Sequence, residues 1–536
     1  ISLAYLVTAY TLCSPKCLPC SQAVRRFSRT SHLRQPRQLC AMCSLLCDSD
    51  HVEGVQKYAT LLSEFLSKYS WLTDSYVLDY FVDKQWQKLP PSWQKALHNV
   101  QPDQVSLWLR TGRPVGNTTV WPLSLLCLAP AATLLSLGRQ AVKSPAHIPV
   151  FSTDDACWGP SSDREWPPFD PSNNRNMTHA FRKHVKSKKQ HEITRLAVVV
   201  ELLARKCGCR HVMDVGSGQG HLARLLALDR KLGVATVDLV GSHLSSAKRF
   251  DDQAVSHFKK KSGETAEGGD TKSRRESQKP PQHVELEVSM ATTPDQLEEV
   301  ANRAWNEPGP RVNKFVLVGL HTCGDLGSSI VRLFTQTPAV QGLVSVGCCY
   351  MKLSCNGTRN QGKPVGYPMS QHVLSLGERA RLSYQAREVA CHALEAYLSR
   401  LREEPSLLKI HCYRALLETV IVRNYADLKH SGLGSVKRAA AMTFAEYARK
   451  ALRKLPLPIS EEDLNAPELE SLLKEWKRVV LFYSLRLLLA PVVESLVLTD
   501  RALYLSEHGI SSCLVPLFDP NLSPRNIVLL AFKAGS

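Results

Sequence analysis

The groups in this chain most able to do chemistry stand where two apolar runs stop. His321-Thr322-Cys323-Gly324-Asp325 follows the run from Lys314 to Leu320, and Cys348-Cys349-Tyr350 follows Gly342–Gly347. His321 offers a general base, and Asp325 either orients it or caps the next helix. Cys348 and Cys349 offer a nucleophile or serve as small packing residues. Alternation along a strand lets at most one of them face a pocket, which Tyr350 would line. A third group, Lys188, Lys189, His191 and Glu192, is either the charged start of a helix or a set of substrate contacts.

The elements that must position these groups follow from a glycine turn. Val212, Met213 and Val215 bracket Asp214, glycines fall at 216, 218 and 220 around Ser217, and a helix-like run begins at His221. A strand, a tight turn and a helix N-terminus in that order attract a polar or anionic ligand. A dinucleotide fold would need a glycine at position 221, which is His221 here. The form Asp-x-Gly-x-Gly-x-Gly resembles instead the first motif of S-adenosylmethionine (SAM)-dependent methyltransferases. Asp214, Gly216, Ser217, Gly218, Gly220 and His221 are then cofactor residues. Gly233–Leu239 reads as a second strand whose Asp238, 18 residues past Gly220, is placed to hold a ribose diol. The runs ending at His321 and Tyr350 suit strands buried on both faces of a parallel sheet. Cys513–Phe518 and Asn526–Phe532 flank a turn-rich segment and read as an antiparallel hairpin.

Five ordered segments carry a closer resemblance: 188–193, 215–222, 319–326, 345–353 and 523–526. Together they resemble the methyltransferase-like protein 25B family, described as ribosomal RNA adenine dimethylase domain-containing proteins, within the SAM-dependent methyltransferases. The resemblance runs from about Asp50 to the C-terminus. It implies a doubly wound α/β sheet of seven strands, order 3-2-1-4-5-7-6, with the last strand antiparallel and helical regions added. It also implies SAM as cofactor and methyl transfer as activity. The position of His321, Asp325, Cys348, Cys349 and Tyr350 where two strands stop beside the SAM strand places them at the acceptor site. Lys188, Lys189, His191 and Glu192 would contact substrate or the methionine part of SAM. The chain departs from the Asn/Asp-Pro-Pro-Tyr/Phe motif of adenine-N6 enzymes, which argues against adenine as acceptor. A SAM-binding scaffold without catalysis is the rival reading.

With 536 residues, 44% apolar and 22% charged, the chain has the composition of an ordinary globular protein able to bury a large core. Its net charge of +18 fits an acidic partner. Residues 1–47 and 171–191 each hold six Lys/Arg and no acid, so each is a solvated basic face or a contact for RNA or an acidic protein. RNA and protein are the expected partners; neither DNA nor a membrane is expected. The 17 cysteines lack a secreted-type framework, which places the chain in a reducing compartment, cytoplasm or nucleus. Cys13, Cys17 and Cys20 have an iron–sulfur spacing and Cys40, Cys43 and Cys47 follow, but no metal is assigned. The apolar run Val479–Leu498 has the length of a membrane span, yet it contains Arg486, Pro491 and Glu494 and reads as a buried helix.

Six regions result. Residues 1–50 are atypical and expected to be disordered or a gene-model artefact, since the chain opens without methionine. Residues 51–137 are helical, with Trp86, Trp93, Trp108 and Trp121 as core anchors. A Pro/Ser-rich linker spans 138–175, and the catalytic core spans 176–355 with a charged insert at 259–281. A mainly helical insertion covers 356–508, and the hairpin at 509–536 completes the sheet.

Overall fold

The computed structural model of the chain describes residues 49–114, 120–151, 166, 179–182, 185–264, 279–305, 312–355, 364–453, 455 and 457–533. The two N-terminal cysteine triplets, residues 171–178 and 183–184 of the basic stretch 171–191, and the centre of the charged insert lie outside them. The described residues divide into two units: those within 49–60, 137–380 and 496–533 form one, and those within 61–136 and 381–495 form the other.

The first unit is built on one sheet of seven strands, ordered β3-β2-β1-β4-β5-β7-β6. The strands are β1 (His211–Val215), β2 (Gly233–Asp238), β3 (Gln282–Glu285), β4 (Phe315–Thr322), β5 (Val340–Gly347), β6 (Ser511–Pro516) and β7 (Ile527–Phe532). Strands β1 to β5 pair in parallel, while β7 runs antiparallel to both β5 and β6. This is the order and the antiparallel hairpin that the sequence implies. The central strands β1, β4 and β5 are almost wholly buried because helices cover both faces of a parallel sheet.

Strand β3 has no apolar signature: Gln-His-Val-Glu is half exposed at the sheet edge. It is held by polar bonds instead. His283 Nδ1 pairs with Thr236 Oγ1 at 2.7 Å and its Nε2 with Asp251 Oδ2 at 2.7 Å. Asp251 also accepts from Arg224 Nε at 2.6 Å, so a buried ionic network ties β2, β3 and two helices together. The second of these helices, Gly241–Glu264, continues into the residues read as the charged insert.

The second unit is helical. Trp86, Trp93, Trp108 and Trp121 are all buried in it, as core anchors should be; Trp93 Nε1 donates to Ser124 Oγ at 2.9 Å, and Trp108 meets Trp121 edge-on. Residues 476–507 are the one stretch, among those described, long and apolar enough to cross a membrane, and residues 479–503 of it are buried within the protein. The stretch forms two helices, Trp476–Leu487 and Ala490–Glu507. Within it, the buried Arg486 donates through Nη2 to Gln385 O at 2.7 Å and to Glu388 Oε2 at 3.2 Å.

Candidate active site

Strand β1 delivers the chain into the glycine turn, where Gly216, Gly218 and Gly220 all adopt positive φ, 72°, 56° and 66°. Only glycine takes that conformation without strain, so the spacing in the sequence is a backbone requirement. At Gly220 space matters too: a Cβ would lie 3.3 Å from His283 Cε1 and 3.4 Å from Ala247 Cβ. At Gly218, by contrast, a Cβ would meet nothing within 4 Å. The turn is open there.

Asp238, at the end of β2, fastens the turn. Gly218 N–H donates to its Oδ2 at 2.8 Å, Val240 N–H to its Oδ1 at 2.9 Å, and His243 Nδ1 lies 3.2 Å from Oδ1. A carboxylate offers about four acceptor positions, so one remains for a hydroxyl pair. The hydroxyl of Ser217 is buried and has no protein partner. An orphaned hydroxyl, an open glycine and a spare acceptor at one strand end fit a nucleoside-bearing ligand such as SAM. Asp214, one residue before the turn, is buried. Burial above all, with Asp238 adding to it and Lys189 opposing, pushes its carboxyl up to about 7. His221 is buried: it stacks on Phe250, lies 3.3 Å from Arg224 Nη1 and pairs through Nε2 with Gln219 Oε1 of the turn at 3.2 Å.

The helix Ser187–Lys206 brings Glu192 and His191 under the far side of the sheet. Glu192 is 1% exposed and meets three groups: His321 Nε2 at 2.9 Å, Ser523 Oγ at 2.6 Å and Lys188 Nζ at 3.6 Å. Burial opposes its ionisation. The bonds from His321 and Ser523 and the charge of Lys188 outweigh that and hold the carboxyl below its ordinary value. An ionised carboxylate only accepts, so Nε2 of His321 carries the proton and Nδ1 is left as the basic nitrogen. His321 sits at φ 66°, a conformation uncommon for a side-chain-bearing residue and frequent at sites under functional constraint. His191 is buried and accepts from Asp519 N–H at 2.9 Å; burial, reinforced by Arg195, lowers it to about 4.

Asp325 opens the helix Asp325–Gln336, and its Oδ1 accepts from Ser354 N–H at 2.7 Å, pinning the loop that follows β5. Tyr350 is buried beside Arg501, with both groups within reach of the position a Cβ on Gly347 would take. Three thiols converge next to them. Cys323 Sγ lies 3.1 Å from Cys348 Sγ and 3.3 Å from Cys349 Sγ, and the latter two are 3.5 Å apart. The expectation that only one of the adjacent cysteines could turn inward fails, because β5 ends at Gly347 and strand alternation ends with it. Hydrogen bonds from Cys348 hold Cys323 below the usual thiol range, while the other two thiols are raised.

The structure thus joins Glu192, Lys188 and His321 in one network, and gathers Cys348 and Cys349 around Cys323. Two members of these groups, Ser523 and Arg501, have no site role in the sequence reading, and Cys323 enters it only as part of the turn His321–Asp325. Ser523 and Arg501 lie more than 150 residues from the strand ends they serve and acquire a role only through the fold.

Comparison with known proteins agrees with this geometry. Residues 188–356 match a family described as a methyltransferase domain. Similar curated proteins are the probable methyltransferase-like protein 25 of Mus musculus, 36% identical over 230 residues, and that of Homo sapiens, 35% identical over 227. Each match covers 41% of this chain and 37% of the relative, so the chain spans well under half the length of the curated relatives it matches. No solved structure matches.

Proposed function

We propose that this chain transfers the methyl group of SAM to an RNA or protein acceptor held at the ends of β4 and β5. The observation that carries the reading is the opening in the glycine turn, with the unpartnered Ser217 hydroxyl, open space at Gly218 and a spare acceptor on Asp238. When bound, SAM supplies an already activated methyl group, so placement matters more than acid–base apparatus. Nδ1 of His321 takes the proton that the acceptor gives up, and Glu192 stabilises the resulting imidazolium through Nε2. Lys186 and Lys188 stand exposed at the entry of the helix that carries Glu192 and would draw in an acidic acceptor. The ten cysteines among the described residues are all free, which supports a reducing compartment, cytoplasm or nucleus.

Incubating cell extract with the purified chain and labelled SAM, then treating it with RNase or protease, assigns the acceptor. Label lost to RNase marks RNA, and label lost to protease marks protein. No incorporation despite SAM binding by calorimetry would mark a binding scaffold and overturn the catalytic reading.

A further inference from the structure

The thiols of Cys323, Cys348 and Cys349 are closer together than packing alone requires. Their sulfurs are separated by 3.1, 3.3 and 3.5 Å. We propose that these three cysteines form a trithiolate site for a soft divalent cation, zinc, with one coordination position left to an exogenous ligand. A tetrahedral zinc with Zn–S bonds of about 2.3 Å sets its sulfurs ~3.8 Å apart, so the thiols need to spread by about 0.3–0.7 Å.

The backbone holds them in place. Cys323 lies in the turn after β4, Cys348 and Cys349 lie just past β5, and the two strands are paired up to Thr322 and Gly347. The turns themselves are pressed together: a Cβ on Gly324 would lie 2.6 Å from both Cβ and O of Lys352. Gly324 has φ 56° and ψ −131°, a conformation that suits glycine alone. The three ligands therefore belong to one rigid corner of the sheet.

Charge balance fits as well. Binding replaces three S–H protons, released to solvent, with one Zn²⁺, and leaves a net charge of −1 on the centre. Arg501, buried against Gly347, and Lys352, in the following turn, supply the compensating positive charge. Among the described residues no fourth Cys, His or acidic ligand joins the cluster. Three protein ligands and an open position are the arrangement of reactive zinc centres, whereas structural sites are closed by four. The assignment stands on the thiols and is read without reference to methyl transfer.

The test uses the full chain, reduced and stripped of metal, then titrated with Zn²⁺ against a chromophoric chelator. Wild-type protein should bind one equivalent more than the variant Cys323→Ser/Cys348→Ser/Cys349→Ser. Cys323→Ser alone should weaken that site on the order of 100-fold or more, beyond the loss typical of an outer-shell partner. A second readout needs no variant: zinc should protect Cys323, Cys348 and Cys349 from alkylation in peptide maps, and Co²⁺ should give a thiolate charge-transfer band. Equal stoichiometry in wild type and triple variant would overturn the assignment. So would alkylation of the three thiols unaffected by zinc, or a disulfide between two of them in the protein as isolated.

Discussion

His321 and Asp214 show how single residues carry the candidate site. His321 holds a left-handed backbone, which asparagine tolerates better than alanine, so His321→Asn is the cleaner test of its role as base. Turnover should fall by roughly 10²-fold or more, the scale of a positioned base, while SAM affinity and melting temperature stay near wild type. Parallel loss of stability and activity would make His321 a structural residue. Asp214 is governed by burial. Its carboxyl is raised from 3.8 to about 7, so the folded state binds more protons than the unfolded state between those values, and stability falls as pH rises through that window. Asp214→Asn keeps the shape and removes the charge. Its melting temperature should exceed wild type by several degrees at pH 8 and match it below pH 4.

Two joints between elements make further claims. His191 ties the helix Ser187–Lys206 to the β6–β7 turn by accepting from Asp519 N–H. Lowered from 6.5 to about 4, it stays neutral in the folded protein while the unfolded chain takes up a proton. Its contribution is therefore present above pH 6.5 and lost as pH falls toward 4, by about 1.4 kcal/mol for each pH unit crossed. His191→Gln should flatten that part of the stability–pH profile in chemical denaturation. The glycines give a contrast. Gly324→Ala would drive a Cβ into the Lys352 backbone and should unfold the β4–β5 corner, lowering the melting temperature by about ten degrees or more, on the order of 3 kcal/mol. Gly218→Arg meets open space, so the fold should survive with a modest loss while calorimetry finds no SAM binding. Wild-type SAM binding in Gly218→Arg would refute the cofactor assignment.

For the molecule as a whole, the apolar stretch 476–507 is the decisive segment. Its length matches a bilayer, but Arg486 and Asp500 within it are bonded to groups elsewhere in the protein. Asp500 accepts from Met369 N–H, Ser370 N–H and Ser370 Oγ at 2.8 to 2.9 Å, and Arg486 is wholly buried against Glu388. Removing one partner of a buried ion pair costs about 3–5 kcal/mol because the other is left uncompensated. Arg486→Ala should therefore melt far below wild type, and Arg486→Met, which restores volume but not charge, should recover only part of the loss. A melting temperature unchanged by either substitution would show that the pair does not anchor this core.

Most of the sheet is legible in residue types and spacing. Strands buried on both faces read as apolar runs, and positive-φ turns demand glycine, so β1, β2, β4, β5, the hairpin and the turn at Gly216–Gly220 were legible from residue type and spacing. Edge strand β3 was not, because Gln282–Glu285 is held by the His283–Asp251–Arg224 network and not by apolar burial. Only the tertiary structure decided which polar groups meet. Glu192, His321 and Ser523 are separated by more than 120 residues from one another, and their bonds exist because a helix, the end of the central strand β4 and a hairpin turn meet at one end of the strands. The convergence of Cys323 with Cys348 and Cys349 has the same origin: strand periodicity predicts divergence, and the end of β5 at Gly347 releases the chain from it. Local sequence specifies backbone conformation and burial, whereas contacts across the chain depend on how the completed sheet brings distant strand ends together.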